Sequence, residues 1–270
     1  MFIGARRGMV RVSVWWPGKG AMLRCAAVLS SFGLPGRVEE KGSRVMRQVT
    51  ILPILIFQAL LARPLAATVG FALVLRETAE RIPLGGFLLF LAAVLMFLAL
   101  VTLVYRVFLR FWPLPEGDLA IGSPGEFRYM VYIMFWLMIF LPVLRMSIIP
   151  VPLSGVVLRA LGARVGAGSY SSGLIFDPHF VTIGSSTQIG FDAVLIPHAQ
   201  ARGELAHYPI RIGSNVTIGA RSVIMAGATI EDGAIVGLCS LVTRGTHIRA
   251  DEVWAGIPAR PIRRAPSGET

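Results

Sequence analysis

The chain has 270 residues, of which 54% are hydrophobic and only 15% charged, with a mean hydropathy of +0.68 and a net charge of +11. A soluble globular domain carries about 25% charged residues, so this composition excludes a purely soluble protein. Two cysteines, Cys25 and Cys239, are too few and too far apart for a disulfide framework or a cysteine metal site.

Residues 1–47 hold nine Lys/Arg against Glu39 and Glu40, which puts +7 of the +11 there (9 − 2). A basic run directly ahead of an apolar segment fits cytoplasmic retention and contact with anionic lipid, so membrane lipid, not nucleic acid, is the expected partner. The apolar stretch 21–33 is too short and broken for a cleavable signal peptide. Residues 1–48 are expected to be a disordered cytoplasmic N-terminus, with Met46 as an alternative start.

Three apolar segments fill the membrane region, residues 49–150. Segment 49–75 is long enough to cross a bilayer but carries Arg63-Pro64 midway. The proline predicts a kink. An arginine at mid-depth costs roughly 2.5–3.5 kcal/mol unless it meets a partner or water. Segment 84–105 carries no charge along its whole length and is the clearest span. In segment 127–146 the uncharged stretch between Arg128 and Arg145 is short for a span, and Tyr129, Tyr132, Phe135 and Trp136 crowd its first half. It reads as an interfacial or partly inserted helix, with a third full span as the alternative. Two spans return the rest of the chain to the cytoplasm, where coenzyme A thioesters exist; three would place it outside. The connecting charges Arg76, Glu77, Glu80 and Arg81 sum to zero, and two spans is the reading adopted.

Residues 156–161 read as a last helical turn ending at Gly162. A six-residue pattern then begins within residues 151–264. Val165-Gly166 opens it, Ser171 and Asp177 stand where aliphatics are expected, and Ile183, Ile189 and Leu195 restore it. From Ile212 it is unbroken: Ile218, Ile224, Ile230, Val236, Val242 and Ile248 follow at intervals of six, and Trp254 ends the run. The next residue is often glycine (Gly213, Gly219, Gly237) and the fifth position is small. A period of six fits neither helix nor two-sided strand. It fits a chain wound into a triangular prism, a parallel β-helix with one aliphatic per hexad pointing inward. Cys239, at a third position, reads as a surface thiol. The interval from Leu195 to Ile212 is not a multiple of six, so residues 201–211 are an excursion from the wall. Loops on a rigid scaffold carry function. Residues 265–270 are a tail.

Asp177-Pro178-His179-Phe180-Val181-Thr182-Ile183-Gly184, His198 with the excursion and Pro209-Ile210-Arg211-Ile212-Gly213, and Trp254-Ala255-Gly256-Ile257-Pro258-Ala259-Arg260-Pro261 resemble the hexapeptide-repeat acyltransferases. Residues 84–264 are similar to a membrane-associated variety, the carboxy-terminal modules of polylysine-synthetase-like peptide synthetases. Arg110-Phe111-Trp112-Pro113-Leu114-Pro115-Glu116-Gly117 and Leu161-Gly162-Ala163 add to that similarity. It implies N-terminal transmembrane α-helices followed by an all-β left-handed parallel β-helix. It also implies acyl transfer from acetyl-coenzyme A or another thioester co-substrate to an amine or hydroxyl, with no permanently bound cofactor. A homotrimer with sites between subunits is expected, in the cytoplasmic membrane with the β-helix facing the cytoplasm. The acceptor would be a small molecule, a glycan or a carrier-bound group.

Carried over to this chain, the general base is His198, which opens the excursion. Imidazole titrates near neutrality, as a base for this reaction must. His207, in the same excursion, is the second candidate, as base or acceptor contact. Glu204 is the excursion's one carboxylate that could orient an imidazole. Because His198 lies outside the hexad register, its removal is expected to leave stability unchanged. His179 and His247 read as structural. Arg244 and Arg260, with Arg263 and Arg264 behind them, are the candidates for the donor's phosphates. Two alternatives stand: an inactive membrane-anchored scaffold, and a zinc-dependent carbonic-anhydrase-like site, which would need His198, His207 and His247 to meet across subunits. No histidine pair has the tight spacing of a site within one coil, so no metal is expected.

Overall fold

A computed structural model describes residues 51–146, 149–201 and 204–264; the expected disordered N-terminus, residues 1–48, and the tail 265–270 lie outside them. Two long helices come first, α1 (Ile51–Glu80) and α2 (Gly85–Phe111). Both leave large apolar side chains exposed, among them Leu55, Val69 and Leu73 on α1 and Phe87, Phe90 and Leu103 on α2. A helix that is apolar on its outer face needs an apolar surrounding. Three helical stretches, α1, α2 and residues Pro124–Arg145, are long and apolar enough to cross a membrane.

Pro64 removes one amide donor, yet α1 runs through it unbroken, with its ring buried and Thr68 Oγ1 donating to Pro64 O at 2.8 Å. Arg63 is exposed. Phe57 and Tyr105 both pack on Phe135, at centroid distances of 5.0 and 6.0 Å.

Helix α3 (Pro124–Phe135) starts from a reciprocal cap: Ser123 Oγ accepts from Glu126 N at 3.2 Å, and the Glu126 carboxylate accepts from Gly122 N at 2.5 Å. It continues through a π-helical turn, Trp136–Phe140, into α4 (Leu141–Arg145). Tyr132, Phe135, Trp136 and Phe140 are all buried. They pack on α1 and α2 on one side and, through Trp136 on Phe176 and Tyr132 on His179, on the β-helix on the other. Helix α5 (Ser154–Ala160) follows; Tyr105 Oη donates to Leu161 O, and Arg106 Nη1 to Arg159 O, tying the end of α2 to it.

The remaining chain winds through three parallel sheets. One stacks strands carrying Val165, Ile183, Ile212, Ile230 and Ile248. The second stacks Ser171, Ile189, Ile218, Val236 and Trp254, and the third Ile175, Leu195, Ile224 and Val242. From Ile212 each coil takes three hexads, so that Ile212 pairs with Ile230 and Ile230 with Ile248. The seven aliphatics from Ile212 to Ile248 are each at most 2% exposed, and burying each contributes roughly 1.5–3 kcal/mol. Glycine follows an inward aliphatic because coils meet there: a Cβ on Gly219 would lie 2.4 Å from Leu238 N. The fifth position is small because it is buried, as at Ala228 and Ala234, and where it carries a hydroxyl it stitches corners together: Ser222 Oγ donates to Gly237 O and accepts from Ser240 N.

The first coil departs from the expected register. Ser171 does point inward, but the next inward residue is Ile175, paired with Leu195; Asp177 lies beyond it at a corner. The step from Ile175 to Ile183 is therefore longer than a hexad, and the extra length forms the 3-10 turn Pro178–Phe180. The slip keeps an aliphatic inside the prism and a carboxylate out of it. The excursion also differs from a loop. It is a hairpin of strands His198–Ala201 and Glu204–His207, extended by the strand Gly117–Leu119 from the connection after α2. At the far end, strands Glu252–Gly256 and Ala259–Arg264 fold back antiparallel over the last coil.

Candidate active site

The corner slip sets Asp177 one coil below His198, since the register that pairs Ile175 with Leu195 carries Asp177 to Pro197. Asp177 holds a left-handed backbone (φ 44°), a conformation Asp and Asn adopt more readily than other side chains. Its carboxylate is completely buried, and Oδ2 lies 2.5 Å from His198 Nδ1. Burial alone would push the Asp177 carboxyl up. The interaction with His198, chiefly the hydrogen bond, outweighs it and holds the carboxyl below the ordinary carboxylate value. An ionised carboxylate only accepts, so Nδ1 carries the proton and Nε2 is left as the basic nitrogen. The His198 side chain is 23% exposed. Its ring stands edge-on to Phe176, which packs on Trp136.

His207 sits opposite His198 in the hairpin register and is 0% exposed, stacked on Phe180 at 4.8 Å and beside Tyr129 at 4.9 Å. It backs the hairpin against α3. His179 is on the 3-10 turn, with Tyr132 edge-on at 5.1 Å; burial lowers its pKa to about 4, so it is neutral. His247 is on the outer wall, its Nε2 2.6 Å from Glu231 Oε1. Among the described residues no group of three or more His, Cys, Asp and Glu is arranged to hold a metal ion.

Arg244 is brought to the hairpin's base. Its guanidinium carbon is 4.2 Å from the centroid of the Tyr208 ring, whose hydroxyl donates to Asp118 Oδ1 at 2.7 Å. Tyr208 N donates to Pro197 O at 2.8 Å, so Arg244, Tyr208 and His198 are near neighbours. Arg260 is exposed on the closing hairpin, paired with Ala255, and no described contact joins it to Arg244. The side chains of Glu204, Arg263 and Arg264 lie outside the described residues. Sequence reasoning misses Asp177, treating it as a failed aliphatic. The signal is present: an Asp-Pro two residues past an aliphatic breaks the hexads, and 21 residues later, on the next coil, stands a histidine.

Residues 209–244 match the family model described as bacterial transferase hexapeptide (six repeats). The match falls within the unbroken hexads of the β-helix. Part of the chain is 40% identical over 96 residues to galactoside O-acetyltransferase of Escherichia coli, covering 33% of this chain and 46% of that one. Mitochondrial gamma carbonic anhydrase 2 of Arabidopsis thaliana is 33% identical over 122 residues, covering 37% and 43%. Delta-poly-L-ornithine synthetase of Acinetobacter baumannii is 29% identical over 105 residues, covering 38% of this chain and 8% of that protein. The chain thus spans less than half the length of these curated relatives.

Proposed function

We propose that this chain is a membrane-anchored acyltransferase that moves an acyl group from a coenzyme A or carrier thioester to an amine or hydroxyl, with His198 as general base. The observation that carries the reading is the Asp177–His198 hydrogen bond, a buried carboxylate orienting a partly exposed imidazole. As the acceptor attacks the thioester carbonyl, His198 Nε2 takes its proton. The tetrahedral intermediate then collapses, the carbon–sulfur bond breaks, and the thiolate leaves with the proton that His198 returns. Asp177 holds the ring and offsets the charge that forms on it.

Similarity to an acetyltransferase supports the chemistry, and the apolar outer faces of α1 and α2 support the anchor. In this reading α1 and α2 span, α3 lies at the interface between them and the β-helix, and the β-helix is left-handed and faces the cytoplasm. Arg244 and Arg260 hold donor phosphates, and three copies assemble so that the donor lies between subunits. His207 is a positioning residue, because it is buried behind the hairpin rather than open to an acceptor. The zinc reading has similarity to a carbonic anhydrase behind it, but two of its three imidazoles are otherwise engaged: His207 is buried on aromatic rings and His247 is paired with Glu231.

The test is release of free thiol from acetyl-coenzyme A by the purified full chain with fractionated membrane and soluble acceptors. Acceptor-dependent release supports the transferase. No release with any thioester would leave the scaffold.

A further inference from the structure

The end of α2 and the start of the β-helix line an open cleft of about 430 Å³. Arg106 and Arg110 bring charge to it, and Val107, Phe111, Leu161 and His179 are among its other walls. Arg106 and Arg110 are one helical turn apart, an arrangement in which like charges repel. Arg106 spends one nitrogen on the carbonyls of Arg159 and Ala160. Arg110 has no hydrogen-bond or ion-pair partner among the described residues. Two exposed guanidiniums on one cleft, neither paired with an acid among the described residues, call for an anion with several oxygens.

The apolar part says where that anion comes from. Leu103, Val107 and Phe111 form a stripe at intervals of four along α2, 58%, 47% and 73% exposed, and the last two also line the cleft. A free phosphate would use the arginines and leave this stripe bare; a chain-bearing molecule would use both. We propose that the cleft binds the phosphate headgroup of an anionic membrane amphiphile, Arg106 and Arg110 pairing with its oxygens and its acyl chains lying along Leu103, Val107 and Phe111. The proposal goes beyond acyl transfer and does not depend on it.

Thermal stability of the purified full chain in a neutral detergent tests it, with short-chain phosphatidic acid, short-chain phosphatidylcholine, inorganic phosphate and coenzyme A as probes. Because the N-terminal region also attracts anions, the decisive comparison is between variants. Phosphatidic acid should raise the midpoint at concentrations where the other three do not, and Arg110→Gln should weaken its apparent affinity about tenfold or more. Arg81→Gln, at the opposite end of the helix pair, should leave it unchanged, and circular dichroism should show both variants folded. An undiminished response in folded Arg110→Gln overturns the site. An equal response to phosphatidylcholine removes the headgroup, an equal response to inorganic phosphate removes the amphiphile, and displacement by coenzyme A reassigns the cleft to the thioester donor.

Discussion

Nδ1 of His198 lies 2.5 Å from Oδ2 of Asp177, across one coil of the β-helix, and the carboxylate is shut away from solvent. The pair changes what a substitution at His198 means. Read as a loop residue, His198 could be removed without effect on stability. In the fold, His198→Ala would strip a buried charge of its partner, a loss that costs about 3–5 kcal/mol. A clean test of the base must keep a donor at the Nδ1 position.

Asp177→Asn keeps the volume and removes the charge. Its amide would donate to Nδ1 and drive the ring proton to Nε2, the wrong nitrogen for a base. Turnover should fall by two orders of magnitude or more while the thioester's KM changes little. Wild-type turnover in a folded Asp177→Asn protein would remove Asp177 from the mechanism.

Acid should destabilise the fold in two windows. His179 is held near 4 by burial, against about 6.5 in an unfolded chain. Between those values the unfolded chain binds a proton that the folded chain does not, so stability falls as pH drops from about 6.5 to about 4, by up to roughly 3 kcal/mol. The Asp177 carboxyl is held below its ordinary value, so its stabilisation is present above about 4 and is lost as pH falls further. Thermal midpoints across pH 4–7 for wild type and His179→Leu check the first window: the slope should flatten in the variant, and an unchanged slope would show that His179 is not its source.

Ile224→Ala empties an inward position packed between Leu195 and Val242. It should cost roughly 2–5 kcal/mol, measured by chemical denaturation, with activity lost only in proportion to unfolding. A cost under about 0.5 kcal/mol, the size of an ordinary surface change, would mean that the position is not core.

Cys239 is an exposed thiol on the β-helix. With Cys25→Ser in place, a membrane-impermeant maleimide should leave Cys239 unlabelled in intact cells and label it after permeabilisation. Labelling in intact cells would place the β-helix outside, away from coenzyme A.

The hexads are legible because each inward position makes the same demand, and the aliphatics from Ile212 to Ile248 satisfy it without exception. Ile175 is not, because a short step followed by a long one looks like noise until the corner turn is seen. The helices α1 and α2 announce themselves by length and apolarity. The placement of α3 does not, since the buried faces of Tyr132 and Trp136 are set by partners far along the chain, His179 and Phe176. The break in register marks the excursion, and the resemblance sets the base, His198, at its start. Asp177 escapes notice because a single linear pattern does not show which residues lie one coil apart.

The most direct measurement is turnover of His198→Asn, whose side-chain amide can still donate to Asp177 but cannot take a proton. The expected result is a folded protein with the wild-type thermal midpoint, the wild-type assembly and acyl transfer reduced by roughly two to four orders of magnitude. Transfer at the wild-type rate in that folded variant would contradict the assignment of His198 as the base.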